Sequence, residues 1–252
     1  MFTKSAPFYD ALYHFVDYGR AVRQLHELIQ QRVPQAATLL DVGCGTGQHL
    51  QHFRDLYQVE GLDIDGNLLE SAHLRCPGVP FHEMSMVDFR LPRRFDVITC
   101  LFSAIGYVQT VDNMRRAIAT MAGHLEPGGL LLVEPWFEPD HFWTDVVTAN
   151  HVEQPELKIC WMYTSKREGT LSLLDIHYVV GTPDGVEHFE EEHRLGLFTR
   201  EESAAAMRDA SLAVEFDPEG PFRRGLYIGQ APADDAAGRG RRPSDEPGGG
   251  SP

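Results

Sequence analysis

Three glycines at every second position, Gly43, Gly45 and Gly47, follow the apolar run Leu39 to Val42, and Asp41 lies inside that run. Glycines in this spacing let a chain turn at positive φ and let a ligand approach main-chain atoms that a Cβ would shield. Asp63 stands twenty positions past Gly43, at the end of a second apolar run, Val59 to Leu62. A carboxylate there accepts from both hydroxyls of a ribose. The loop reads Gly-x-Gly-x-Gly, not the Gly-x-Gly-x-x-Gly of a dinucleotide site, and no Lys-Ser/Thr pair follows it. An acid ahead of the glycines suits a ligand with a cationic end better than one with two phosphates.

To position these groups the chain needs a buried strand, a tight turn and a helix. Leu39 to Val42 reads as the strand, and Gln48 to Leu56 carries a helix-like apolar spacing. Downstream, strands are expected at Val79–Glu83, Phe95–Phe102 and Leu130–Glu134, the last delivered by the Pro127-Gly128-Gly129 turn. Between them lie helices capped by Asp65 and by Asp112. Such alternation indicates a parallel sheet covered on both faces. Asp-x-Gly-x-Gly-x-Gly with an acid at the second strand end resembles the class I S-adenosylmethionine-dependent methyltransferases. That resemblance implies an α/β, Rossmann-like, seven-stranded sheet. It also implies that Asp41, Gly43, Cys44, Gly45, Asp63 and Ile64 bind the cofactor S-adenosyl-L-methionine.

Composition narrows the partners. The 252 residues include 22 basic and 37 acidic side chains, a net charge of −15, which argues against a nucleic-acid substrate. The four cysteines, Cys44, Cys76, Cys100 and Cys160, show no metal spacing, so no metal site is expected. The N-terminus lacks an apolar signal core and no apolar run is long enough to span a membrane, so a cytoplasmic protein is expected.

Flanking segments complete the outline. Tyr18 to Pro34 has the apolar stripe of an amphipathic helix, and Phe8 to Tyr13 is an aromatic lead-in that either lids the ligand or packs behind it. Leu157–Thr164, Ser172–Val180 and Val186–Leu197 read as antiparallel strands, the last two joined by a Pro183-Asp184-Gly185 turn. The expected domains are a methyltransferase core at 1–136 and 199–230 and an inserted antiparallel β subdomain at 137–198. Thr199 to Glu202 is a capping box, and 231–252, almost without apolar residues, reads as a disordered tail.

Longer stretches carry a narrower resemblance. Phe102-Ser103-x-Ile105-Gly106-Tyr107, Val133-Glu134-Pro135-Trp136-Phe137, Arg167-Glu168-Gly169, Leu197-Phe198-Thr199 and Gly220-Pro221-x-x-Arg224-Gly225-Leu226-Tyr227-x-Gly229 accompany the glycine loop. Together they resemble the TDP-3-amino-sugar N,N-dimethyltransferases of antibiotic biosynthesis. The resemblance implies that Tyr9 contacts the methionine end of the cofactor, that Met86 flanks adenine and that Leu101 lies at the matching strand end. It places Trp136, Phe137, Arg167 and Arg224 at the sugar-nucleotide pocket. The β insertion would roof that pocket and join two subunits of a homodimer. Ser85 stands where the family has an acid for the adenine amino group, and Phe222 and Arg223 replace small residues.

Methyl transfer to an amine needs a neutral nitrogen held in line with the methyl donor, and no strong base. Tyr107 either orients that amine or simply packs, and Glu134, ionisable at a strand end, orients the amine or holds Arg224. Trp136 either stacks on a ligand or belongs to the core. His177, on the insertion's hairpin, is a candidate substrate contact, with a structural histidine as the plainer reading, as for His49. The expected activity is N-methylation of a TDP-linked amino sugar. The alternatives are methylation of a hydroxyl or amine on another natural product, and cofactor binding without catalysis.

Overall fold

A computed structural model describes residues 4–233. Helix α1 (Tyr9–Leu12) follows a 3-10 turn, and α2 (Tyr18–Arg32) is capped by Asp17, whose carboxylate accepts from the Arg20 N–H at 2.8 Å. Strand β1 (Thr38–Val42) leads through the glycine loop to α3 (Leu50–Phe53), β2 (Gln58–Asp63), α4 (Gly66–Arg75) and β3 (Phe81–Glu83). Next come β4 (Phe95–Cys100), α5 (Val111–Gly123) and β5 (Leu125–Val133). Four strands follow, β6 (Val147–Gln154), β7 (Leu157–Glu168), β8 (Leu171–Thr182) and β9 (Gly185–Gly196). Helix α6 (Arg200–Asp209), β10 (Ala213–Asp217) and β11 (Leu226–Gln230) close the chain.

Seven strands form one sheet in the order β10-β11-β5-β4-β1-β2-β3, parallel except where β11 joins β5 and β10. Successive residues of its central strands point to opposite faces, and both faces are buried. Leu39, Val97, Leu130 and Leu132 pack with α2. Leu40, Ile98, Leu131 and Val133 pack with α5 and α6. That double burial is why these strands are continuously apolar in sequence. Chain order reverses between β1 and β4, and a ligand crevice forms outside the strand ends at such a point.

The second sheet is an antiparallel meander, β6-β7-β8-β9. Its inner face buries Val152, Ile159, Ile176, Tyr178, Val180 and Phe189 against Leu12 of α1. The expected α/β class with an inserted antiparallel sheet is therefore what the chain adopts.

Several local expectations need correction. The helix after the glycine loop is one turn, because an i to i+3 bond from the Leu56 N–H to the Phe53 carbonyl tightens the chain out of it. Thr110, not Asp112, caps α5, accepting from the Asn113 N–H at 3.2 Å. Strand β5 begins at Leu125, before the Pro-Gly-Gly stretch, and a register irregularity opposite Phe95 and Val97 absorbs the extra residues. Strand β6 was not expected: it is a polar edge strand with Val152 alone buried, so no alternation marks it. Of the expected tail, Ala231 donates to the Gly129 carbonyl and the Pro232 carbonyl accepts from Gly128, extending the ordered body past Gln230. The remainder, from 234, lies outside the described residues.

Candidate active site

At the end of β1 the Gly43 and Cys44 N–H groups donate to the Leu62 carbonyl at 2.7 and 3.0 Å, which ties the glycine loop to the end of β2. Gly43 has φ +72°, and a Cβ there would stand 2.6 Å from the Ala104 Cβ. Gly45, at φ +54°, has nothing within 4 Å of the Cβ position, so its backbone opens on free space. One Asp63 oxygen accepts from the Gly45 N–H at 2.8 Å and the other from the Asp65 N–H at 3.0 Å. Burial pushes the Asp63 carboxyl above its ordinary value, and these backbone bonds oppose the shift. Beneath the loop, burial raises Asp41 to about 7, although Thr99 Oγ1 donates to one oxygen at 2.7 Å. The other Asp41 oxygen has no hydrogen-bond partner among the described residues.

The lead-in closes over this loop. Asp10 accepts from Thr46 Oγ1 and Gln48 Nε2, each at 2.8 Å, and is paired with Arg75, which also donates to the Thr46 carbonyl. Tyr9 stacks obliquely on Tyr13 at 4.7 Å, and Tyr13 sets its edge to Phe102 at 5.3 Å. The segment lids the loop and also packs on the second sheet, through Leu12.

At the other end of the cleft the chain leaves β4 through Phe102 and Ser103, at φ 51° and 63°. Two consecutive left-handed non-glycine residues are strained, and their neighbours hold them. Glu134 Oε2 accepts from the Phe102 N–H at 2.6 Å, and Ser103 Oγ donates to the Pro135 carbonyl at 2.7 Å. Burial raises Glu134 to about 7 against the opposing charge of Arg224. Arg224 donates to Ser103 Oγ at 3.1 Å and sits among the rings of Phe102, Trp136 and Phe137, 5.2 to 5.8 Å from their centroids. Trp136 donates to Ser172 Oγ at 2.9 Å, which fixes the indole against β8. A single cleft of about 640 Å³ joins both ends and is roofed by the second sheet.

Comparison with known proteins now bears on this geometry. Residues 39–129 match the family model described as a methyltransferase domain. The chain is 42% identical over 215 residues to the dTDP-3-amino-3,6-dideoxy-alpha-D-glucopyranose N,N-dimethyltransferase of Streptomyces fradiae, covering 84% of each protein. The chain belongs to the amino-sugar N,N-dimethyltransferase family. Among solved structures, DesVI of Streptomyces venezuelae superposes with a TM-score of 0.86 at 37% identity, over 92% of this chain and 100% of that one. CalS10 of Micromonospora echinaspora, an amino pentose methyltransferase solved with S-adenosylmethionine bound, gives 0.81 at 34% identity, over 91% and 97%.

In this dimethyltransferase Tyr9, Gly43, Gly45, Asp63, Ile64, Ser85, Met86, Leu101, Tyr107, Trp136, Phe137 and Arg224 all border the cleft. The Ser85 hydroxyl already accepts from the Val87 N–H at 3.2 Å. Three expected contacts lie behind the lining instead. Asp41 and Glu134 sit beneath it as supports, and the Cys44 side chain packs in the core, where burial raises its thiol. Arg167 and His177 do not border the cleft. Arg167 is exposed and donates to the Gly169 and Pro139 carbonyls. His177 lies on the outer face of the second sheet, where its Nδ1 is 3.3 Å from Glu190 and 3.4 Å from His188. The three present donor atoms within 4.8 Å of one another, on an open surface. His49 is buried against Tyr18 and Phe222, and burial lowers it to about 3, which keeps the ring neutral.

Sequence reasoning missed Asp10, Arg75, Ser103 and the inward residues of the second sheet, among them Trp161, Tyr163, Tyr178 and His193. The alternation of β8 and β9 marked Tyr178 and His193 as inward, but did not say that they face a ligand; Trp161 and Tyr163 lie on β7.

Proposed function

We propose that this dimethyltransferase transfers methyl groups from S-adenosylmethionine to the amino nitrogen of a TDP-linked deoxyamino sugar, twice on the same nitrogen. The observation that carries this reading is one cleft running from Gly43, Gly45 and Asp63 to Tyr107, Trp136 and Arg224. Its first half fits the cofactor. The space beside Gly45 and the Asp63 carboxylate suit a nucleoside, and Asp41 beneath the loop puts an acid one layer behind its cationic tail. Asp63 would accept from the ribose, Ile64, Met86 and Leu101 would flank the base, and Tyr9 would close the methionine end. S-Adenosylmethionine supplies an electrophilic methyl group on a sulfonium.

The chain's own part is to hold the acceptor nitrogen still and neutral. Positioning of this kind is worth ~7–11 kcal/mol. A sugar amine with a pKa of about 8 needs only about 1.4 kcal/mol to lose its proton near pH 7. Tyr107 borders the cleft and offers its phenol to that amine. The Arg224 guanidinium suits phosphate oxygens, and Trp136 and Phe137 give flat apolar walls to the sugar nucleotide. Glu134 acts one layer back, holding the Phe102 N–H and facing Arg224 with its charge.

The reading includes a homodimer formed through the outer face of the second sheet, and a place in the cytoplasm in keeping with four free cysteines. No helix among the described residues is long and apolar enough to cross a membrane. The test is incubation with S-adenosylmethionine and TDP-linked 3-amino- and 4-aminodideoxyhexoses, read by mass spectrometry. The expected result is the monomethylated and then the dimethylated sugar. Turnover of a hydroxyl acceptor with no amino sugar methylated would overturn the amine reading. Cofactor binding with no turnover on any acceptor would make the chain a binding protein.

A further inference from the structure

Strand β9 points Phe189, Glu191, His193 and Leu195 inward. Two of those four positions are ionisable where their neighbours are apolar, and a buried ionisable group needs a reason to be there. His193 is 3% exposed and Glu191 6%. The Tyr107 hydroxyl lies 2.7 Å from His193 Nδ1, and His193 Nε2 lies 3.5 Å from Glu191 Oε2. Glu191 is held in turn by Ser5, whose N–H donates to Oε1 at 2.9 Å and whose hydroxyl donates to Oε2. Tyr107 is carried by the 3-10 turn Ala104–Val108, pressed so closely on β9 that a Cβ at Gly106 would stand 3.0 Å from Leu195. Phenol, imidazole and carboxylate thus stand in a row, with Tyr107 and His193 both bordering the cleft.

We propose that Tyr107, His193 and Glu191 form a proton relay that neutralises the substrate ammonium before each methyl transfer, which rests on the amino-sugar reading above. A carboxylate only accepts, so the tautomer that leaves the Nδ1 lone pair to Tyr107 carries its proton on Nε2, the nitrogen that faces Glu191 at 3.5 Å. The phenol therefore donates to His193, and its oxygen accepts from the substrate. When an ammonium group docks there, its N–H bond breaks and the proton joins Tyr107 Oη. The phenolic proton passes to His193 Nδ1, and an imidazolium forms beside the Glu191 carboxylate. The charge moves and is neither created nor lost: the amine becomes neutral as His193 becomes positive. The imidazolium then releases its proton to water when the cleft opens, and the relay is reset for the second methylation.

Every element packed around the imidazole bears on this. Tyr107 comes from the 3-10 turn, Tyr178 from β8, Tyr13 and Ser5 from the N-terminal arm, and Asp63 acts on Tyr107 by charge from the end of β2. Burial holds His193 below its ordinary value while Glu191 opposes the shift, so the ring rests neutral, and it is the Glu191 carboxylate that favours the imidazolium once a proton arrives. Tyr107 touches the substrate in this scheme, and His193 and Glu191 are positioning residues acting through it.

The experiment compares His193→Asn, Glu191→Gln and Tyr107→Phe with the parent across pH. Near pH 6.5 each variant is expected to lose about tenfold or more in kcat. The loss should shrink toward about pH 9, where the amine of pKa about 8 arrives already neutral. For His193→Asn and Glu191→Gln, KM for the nucleotide sugar and cofactor affinity should change by less than about threefold, since these two act on the proton and not on binding. A loss equal at both pH values, or no loss, would overturn the relay. A second readout needs no turnover: the nitrogen NMR shifts of His193 in the resting protein should show a protonated Nε2 and an unprotonated Nδ1. The opposite tautomer would also overturn the relay. If the parent methylates no amino sugar at any pH, the substrate reading falls, and the tautomer still tests the geometry.

Discussion

Phe102 and Ser103 hold left-handed backbone that costs about 1–3 kcal/mol each, and Glu134 is the group that most directly keeps them there. Burial raises this carboxyl from 4.5 to about 7, so its contribution to stability is full below about pH 4.5 and is lost as pH rises through 7. Glu134→Gln keeps an acceptor for the Phe102 N–H and cannot ionise. We expect the fall in unfolding free energy between about pH 5 and pH 8 to shrink by up to about 3 kcal/mol, with Asp41 still titrating in the same range. Urea unfolding at the two pH values checks it, and an unchanged slope would place the charge elsewhere. For Arg224, Arg224→Ala should raise the KM of the nucleotide sugar ten- to hundredfold, about 1.5–3 kcal/mol for a charged hydrogen bond, at nearly constant cofactor affinity. Arg224→Lys should recover part of it, and wild-type kinetics in the alanine variant would remove the arginine from substrate binding. The glycines and Asp63 were legible in sequence because their chemistry is local. His177 was misplaced against a signal already present: it lies between Ile176 and Tyr178, the inward residues of β8, and a period of two puts it outside.

Among elements, the alternating strands and the capped helices announced themselves. Thr199 forms the expected capping box with Glu202, and Asp65 caps α4. What stayed hidden were elements fixed by tertiary contact. Strand β6 has no apolar alternation, and the N-terminal arm is held by polar partners far away in sequence. Asp10 reaches Thr46, Gln48 and Arg75 at once, so one carboxylate supplies the polar tie between the arm and the glycine loop, while Ser5 and Leu12 hold the arm to the second sheet. We expect Asp10→Ala to loosen the arm without unfolding the protein. Amide exchange should speed up across residues 5–14, and S-adenosylmethionine affinity measured by calorimetry should fall about tenfold, the worth of one or two hydrogen bonds to a charged group. Unchanged exchange in a variant with weakened binding would mean that Asp10 acts on the loop and not through the arm.

At the scale of the molecule, a net charge of −15 sets the background field, and local arginine must work against it to hold a phosphate-bearing substrate. The second sheet adds a further surface. Its inner face is filled by the arm and the cleft, while its outer face presents Ala149, Cys160, Met162 and Val179 in adjacent register on three strands. Met162 is 57% exposed and Val179 44%, which is unusual for apolar side chains in the middle of a sheet. An isologous dimer formed through this face would cover it with its own copy and bury Met162 in the interface. Met162→Glu would then bury an unpaired carboxylate in each half of the interface, which costs several kcal/mol per ion. We expect the parent chain to sediment as a dimer and Met162→Glu as a monomer, with the melting temperature of the variant depending less on protein concentration. A variant that remains dimeric would move the interface off the outer face. A parent that is monomeric at micromolar concentration would mean that this apolar strip serves no self-association.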